Sequence, residues 1–285
     1  MTSKSKISEK AALPSQNGLE ARIARGAHAH YEDAAYYDLA YKRRRDDVKF
    51  YVEVAQRFGS PVLELGVGTG RVALALAAAS IPVIGIDPSQ TMLDQAAQKR
   101  LKLPAHARSN LSLKRADARK VRLKKRYPLI TAPFNVFMHL YSRDDLERAF
   151  RTVHAHLAPR GHFVFDVLTP DLRAMVRRPG RLLKAPAVIH PRTGRRYHYM
   201  EAFEYEPLRQ VQMVSMVFQD QERMDEMTVV PLSQRQFFPQ ELEALLHYNG
   251  FAIEERYGDF SKGPFTEESE SQIIVARARK GWVSK

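Results

Sequence analysis

Apolar and polar positions change period several times along the chain, and the changes mark out elements. Val48, Tyr51, Val52 and Ala55 recur at helical spacing and predict a helix over 46–58, ended by Gly59-Ser60-Pro61. The apolar run 62–65 predicts a buried strand, Gly66, Gly68 and Gly70 a tight turn, and the run 72–79 a helix. Residues 81–87 read as a second short strand ending in Asp87; Ser89 then caps a helix whose Met92, Leu93 and Ala96 turn inward. A third strand over 111–117 ends in Asp117, and a fourth over 127–132 opens into Pro133-Phe134-Asn135. An amphipathic helix over 144–157, stopped by Pro159-Arg160-Gly161, precedes a fifth strand over 162–167.

Strands alternating with helices in this rhythm predict an α/β fold with a parallel sheet covered on both faces. Ligands of such sheets sit beyond the carboxyl ends of the strands, where the strand order switches. Glu64, Asp87, Asp117 and Asn135 all fall at or near such ends. After Asp166 the rhythm breaks. Runs over 197–206, 211–220 and 228–238 follow one another without a helix, which predicts an antiparallel insertion. A helix from Pro239 to Tyr248 and strands over 251–256 and 272–279 then complete the main sheet. The expected division is a disordered tail over 1–26, N-terminal lid helices over 27–58 and a core over 59–170. An insertion over 171–236 would cover the acceptor site, and 237–280 would return to the core. The segment 30–41, with four tyrosines among its residues, is either packing or a lid over a pocket mouth.

Composition narrows the chemistry. The 285-residue chain has no cysteine, which excludes disulfides, thiolate catalysis and cysteine-ligated metals, and no metal site is expected. A net charge of +13 raises the question of a polyanion partner, with the excess concentrated over 99–126 and 173–196. Neither stretch interleaves aromatics or carries a nucleic-acid motif, so nucleic acid is not the favoured partner. No apolar run approaches the roughly 20 residues of a membrane span, and the start is polar, so a cytoplasmic protein without membrane contact is expected.

The glycine spacing discriminates further. A dinucleotide turn, Gly-x-Gly-x-x-Gly counted from Gly66, needs glycine where the chain has Arg71, and no Gly-Lys-Ser/Thr of a phosphate loop follows. The ordered set does resemble another family. Glu64-Leu65-Gly66-Val67-Gly68-Thr69-Gly70, then Gly85-Ile86-Asp87-Pro88, then Arg115-Ala116-Asp117-Ala118, then Leu157-Ala158-Pro159-Arg160-Gly161 stand in the order of class I S-adenosylmethionine-dependent methyltransferases. Arg160 departs from that pattern by replacing a glycine. The resemblance spans about 31–279 and implies a Rossmann-like seven-stranded, mainly parallel sheet with S-adenosylmethionine as cofactor.

On that resemblance, Asp87 accepts from the ribose diol, Asp117 with Ala118 meets the adenine edge, and Pro88 and Met92 pack beside it. Glu64, Gly66, Gly68, Gly70 and Arg71 would surround the amino-acid end, with Tyr37 and Tyr41 closing over it. Phe134-Asn135-Val136-Phe137-Met138-His139 resembles the corresponding segment of glycine and amino-sugar N-methyltransferases, with Val136 where they carry serine. It lacks the Asp/Asn-Pro-Pro-Tyr/Phe of enzymes that methylate nucleic-acid amines. The expected activity is methyl transfer to N or O of a small-molecule acceptor. His139 is the candidate base, because histidine titrates near neutral pH. Asp166, Tyr197 and Tyr199, with His198 and Tyr205, are candidate acceptor-pocket residues by location. The alternatives are an RNA- or protein-directed methyltransferase and a cofactor-binding protein without catalysis.

Overall fold

The computed structural model describes residues 16–282. From the N-terminus run α1 (Gln16–Gly26), α2 (Ala34–Tyr41), α3 (Asp46–Phe58), β1 (Val62–Leu65), α4 (Arg71–Ala78), β2 (Val83–Asp87), α5 (Gln90–Leu101), α6 (Ala105–Ser109), β3 (Leu111–Arg115) and β4 (Tyr127–Ala132). Then follow α7 (Arg143–His156), β5 (Leu157–Leu168), α8 (Leu172–Met175), β6 (Leu183–Ile189), β7 (Arg196–Glu206), β8 (Val211–Asp220), β9 (Met227–Arg235), α9 (Pro239–Tyr248), β10 (Phe251–Tyr257) and β11 (Ser271–Ala278).

The main sheet has seven strands in the order β10-β11-β5-β4-β1-β2-β3. β1 pairs in parallel with both β2 and β4, so the chain reverses its direction of travel across the sheet at β1 and β4. That switch opens a crevice beyond Leu65 and Ala132, and the glycine turn and Phe134-Asn135 form its walls. Strand alternation divides the core. Phe163, Phe165 and Val167 pack with Phe150 of α7 and Leu246 of α9, whereas Val164 joins Tyr51 of α3 and Leu76 of α4 on the other face. Each such fully buried side chain contributes roughly 1.5–3 kcal/mol relative to exposure.

Four expectations need correction. Residues 16–26 are a helix rather than tail: Ile23 is buried with Val211 and Met213, and Leu19 and Tyr141 pack against them. The rest of that expected tail, 1–15, lies outside the described residues. α3 is a core helix, with Phe50, Tyr51, Val54 and Ala55 buried, so only α2 and the 3-10 turn Ala29–Tyr31 lie over the crevice. β5 begins at Leu157 and carries Pro159-Arg160-Gly161 inside it, because Arg160 adopts a left-handed φ of 63° that bends the strand without ending it.

The insertion holds four strands, β6-β7-β8-β9, not three. β6 was missed because it is an edge strand with Pro186 at its centre and a register shift between Ala185 and Val188, so its pattern is not that of a paired strand.

Candidate functional site

The end of β1 delivers Glu64 into the crevice floor. Its residue is 2% exposed, and Oε2 has no hydrogen-bond partner among the described residues. Burial pushes its pKa up to about 8, only partly offset by the Arg71 charge and the Ala73 N–H. An unpaired carboxyl in this setting either keeps its proton or waits for a cation. The turn above it needs glycine at position 66: φ is 66°, and a Cβ there would stand 2.5 Å from Val136 Cγ2. Val136 therefore packs straight onto the turn.

Asp87, at the end of β2, accepts from the Gly68 N–H at 2.8 Å with one oxygen and from the Ser89 N–H at 2.8 Å with the other. It is 8% exposed, and burial raises its pKa despite both bonds. The carboxylate thus fastens the turn to β2 and keeps further lone pairs for a diol, since each oxygen carries two. Met92 and Leu93 are buried on the helix that Ser89 caps, and the Met92 methyl lies against Gly68. Pro88 is exposed, its carbonyl accepting from Arg115.

Asp117 lies just past the end of β3, and its carboxylate accepts from the Arg119 side chain at 2.7–3.1 Å and its backbone N–H at 2.8 Å. Arg119 continues to Asp145 at 2.7 Å. This pairing accounts for the low pKa of Asp117 against the opposing burial. An adenine amine would have to share a carboxylate that a guanidinium already holds. Ala118 packs against the core beneath.

Tyr37, Tyr41, Met92 and Phe134 come together with Tyr31 over the crevice. Tyr41 meets Tyr37 and Phe134 edge-on, with ring centroids 4.7 and 4.8 Å apart. Arg44 and Arg71 stand over the Phe134 ring at 4.9 and 5.0 Å. Arg71 is also clamped bidentately by the buried Asp47, at 2.5 and 2.7 Å. A cavity of about 500 Å³ opens beside this cluster, lined among others by Tyr37, Tyr41, Lys42, Arg44, Arg71 and Lys99.

Two aspartates missed in the sequence hold α2 in place. Asp38 accepts from Thr69 Oγ1 at 2.6 Å, Lys99 at 2.8 Å and Gln95 at 2.9 Å, which ties α2 to the glycine turn and α5. Asp33 caps α2 through the Tyr36 N–H and binds His190 and Arg192 of the β6–β7 turn at 2.8 and 2.9 Å. Their acidic character within 30–41 was visible; their partners, 31 to 159 residues further on, were not.

Asp166, a pocket candidate by location, is buried instead. It is 3% exposed and accepts from Tyr51 OH at 2.6 Å, the Phe134 N–H at 2.8 Å and the Asn135 N–H at 3.3 Å. Phe134 and Asn135 both hold left-handed φ values, 64° and 65°, so the carboxylate secures a strained two-residue turn. Burial still lifts its pKa to about 6.

His139 closes the 3-10 turn Val136–His139, and its Nε2 is hydrogen-bonded to the Tyr31 hydroxyl at 2.7 Å. Burial, with His30 and His28 adding to it, pushes its pKa down to about 4, so the ring is neutral at pH 7. Tyr197 and Tyr199 lie further out on β7, grouped with Phe218 and Tyr36. His198 points to the other face, and Tyr205 is half-buried further along the strand.

These residues fit S-adenosylmethionine on their own chemistry. The orphaned Glu64 oxygen suits an ammonium, Arg44 and Arg71 a carboxylate, and Asp87 a diol. Residues 62–161 match the model of the methyltransferase domain family. A cypemycin N-terminal methyltransferase from Streptomyces sp is 30% identical over 112 residues, 39% of this chain and 43% of that relative, so the chain matches less than half of its length. The CcbJ methyltransferase of Streptomyces caelestis superposes with a TM-score of 0.69 at 27% identity, covering 82% of this chain and 90% of that one. S-adenosylmethionine-bound CalS10, an amino pentose methyltransferase from Micromonospora echinaspora, shares the fold at 17% identity and a TM-score of 0.58, over 95% of this chain and all of its own. Residues 62–161 thus match a methyltransferase domain that sits at the switch point of such a sheet, in a chain whose fold is similar to that of S-adenosylmethionine-dependent methyltransferases.

Proposed function

We propose that the protein moves a methyl group from S-adenosylmethionine to N or O of a small-molecule acceptor bound between α2 and the insertion. The observation that carries the cofactor half is the buried Glu64 oxygen without a partner, set one turn from the clamped Asp87. Glu64, Gly66, Gly68, Gly70, Arg71, Asp87, Pro88, Met92 and Phe134-Asn135 would hold the cofactor, with Tyr37 and Tyr41 over it and Asp117 and Ala118 at the adenine edge. The cofactor supplies an electrophilic methyl on a sulfonium. Displacement there needs alignment and a dry site, and the aromatic cluster of α2 supplies both.

His139 is the proposed proton acceptor, reached through the Tyr31 hydroxyl. A base this weak takes a proton only as the bond to carbon forms, and an amine that enters neutral needs little more. Tyr197 and Tyr199 would line the acceptor side. Part of the basic stretch 99–126 is engaged within the fold, which supports a small-molecule acceptor over a polynucleotide. Lys99 serves Asp38, Arg100 the Leu111 carbonyl, Arg119 two aspartates and Arg126 the Leu157 carbonyl. The relative named as an N-terminal methyltransferase supports nitrogen as the accepting atom. Among the described residues no helix is long and apolar enough to cross a membrane.

Isothermal titration with S-adenosylhomocysteine, followed by incubation with methyl-labelled cofactor and fractionated cell extract, tests this. Binding of the product cofactor and label in the low-molecular-weight fraction are expected. No binding, or label confined to RNA or protein, would overturn it.

A further inference from the structure

Glu201, in the middle of β7, makes no ion pair with a lysine or arginine among the described residues. Elsewhere in the insertion Glu204, Asp220 and Glu226 are each paired with an arginine, and Glu206 accepts from two backbone N–H groups of the turn after β7. Glu201 has only the Tyr199 hydroxyl, which donates to its Oε1 at 2.5 Å.

Its surroundings are aromatic. Tyr197, Tyr199, Glu201 and Phe203 share one face of β7 by alternation, and Tyr199 stands directly across from Phe218 of β8, as Glu201 does from Met216. Phe218 meets the Tyr199 ring at 5.0 Å and the Tyr36 ring at 5.1 Å. Burial leads in raising the phenol pKa values of Tyr36 and Tyr41 to about 12; the Glu201 charge adds to both, after the Tyr199 hydrogen bond that lowers the first and after the neighbouring Tyr36 and Arg44 at the second. α2 thus presents Tyr36 to the insertion and Tyr37 and Tyr41 to the cofactor cluster. A helix with its side chains is about 10 Å across, so the two groups of rings are one helix apart.

We propose that Glu201, with the rings of Tyr36, Tyr199 and Phe218, is a cation subsite that binds an ammonium group of the acceptor. Glu201 is then a specificity-determining residue. Aromatic faces attract an organic cation through their quadrupoles, and the carboxylate supplies the counter-charge that a neutral isostere cannot use. The inference rests on the small-molecule methyltransferase reading and narrows its acceptors to those that carry positive charge.

The test uses the full chain saturated with S-adenosylhomocysteine and two probes of one shape, choline and the uncharged 3,3-dimethylbutan-1-ol, followed by NMR titration. The unmodified protein should bind choline at least about tenfold more tightly, within the range of a desolvated cation–π site. Glu201→Gln should bring the two probes within about twofold while leaving S-adenosylhomocysteine affinity intact, which also shows that the variant folds. Tyr36→Leu should weaken choline several-fold with the carboxylate still present. Equal binding of both probes to the unmodified protein, or an undiminished preference in Glu201→Gln, would overturn the subsite and leave the cofactor reading standing. Loss of S-adenosylhomocysteine binding by the unmodified protein would instead remove the reading beneath it.

Discussion

Tyr51 donates its hydroxyl to Asp166 at 2.6 Å from a helix more than 100 residues away, and the same carboxylate secures the left-handed turn at Phe134-Asn135. The pair makes a buried brace under the crevice. Tyr51→Phe should cost about 1–3 kcal/mol, as expected for depriving a buried charged group of one donor. Asp166 has a folded pKa of about 6, above the roughly 3.9 of an unfolded chain. A group raised in the fold contributes its stability below about pH 4 and loses it as pH rises through 6. Because the Tyr51 bond lowers that pKa, the gap between variant and parent should widen from pH 4 to pH 7. Urea midpoints at both pH values check this, and a constant gap would show that Tyr51 acts by packing alone.

Local signals were legible and distant partners were not. The limits of α3 and α9 follow from Gly59-Ser60-Pro61, Pro239 and Asn249-Gly250, which are chemical stops that act within a few residues. The glycine turn was legible because only glycine tolerates its conformation beside Val136. Asp87 and Asp166 look alike in the sequence, each a carboxylate at a strand end; only the fold shows Asp87 fastening the glycine turn and Asp166 fastening the turn after β4. Arg119, two residues after Asp117, was a signal within reach, since an Asp-x-Arg spacing can close on itself. Glu201 was beyond reach, because alternation places it with Tyr197 and Tyr199 without saying which face meets α2.

Glu64 gives a pH signature of cofactor binding. Its folded pKa of about 8 means that the unliganded protein carries a proton there at pH 7. An incoming ammonium must displace that proton, so S-adenosylhomocysteine affinity should fall as pH drops from 8 to 6, by up to about tenfold per unit. Glu64→Gln should flatten the profile. Calorimetry in buffers of different ionisation enthalpy would detect the released proton, and a flat profile in the parent would remove the ammonium role from Glu64.

Asp38 predicts how α2 closes. It gathers Thr69, Gln95 and Lys99, and Asp38→Ala leaves three part-buried donors without it. The expected cost is about 1–2 kcal/mol, concentrated in α2 rather than spread over the fold. Amide exchange over 34–41 should accelerate while β1 and β4 stay protected, with S-adenosylhomocysteine affinity reduced about tenfold. Unchanged exchange in α2 would mean that the aromatic cluster alone holds the helix.

Tyr31 and His139 separate catalysis from packing. Their bond of 2.7 Å joins a neutral imidazole to a phenol at the edge of the aromatic cluster. If the pair accepts the proton of the acceptor, Tyr31→Phe should lower kcat by about 10²-fold, the lower end of general-base effects, and leave S-adenosylhomocysteine affinity unchanged. His139→Asn should act in the same direction. Since burial holds His139 at about 4, the parent should show no limb near pH 6.5 in kcat/KM. A limb at 6.5 that disappears in His139→Asn would mean that the imidazole is hydrated when the acceptor binds. Unaltered kcat in both variants would reduce the pair to a packing contact under the lid.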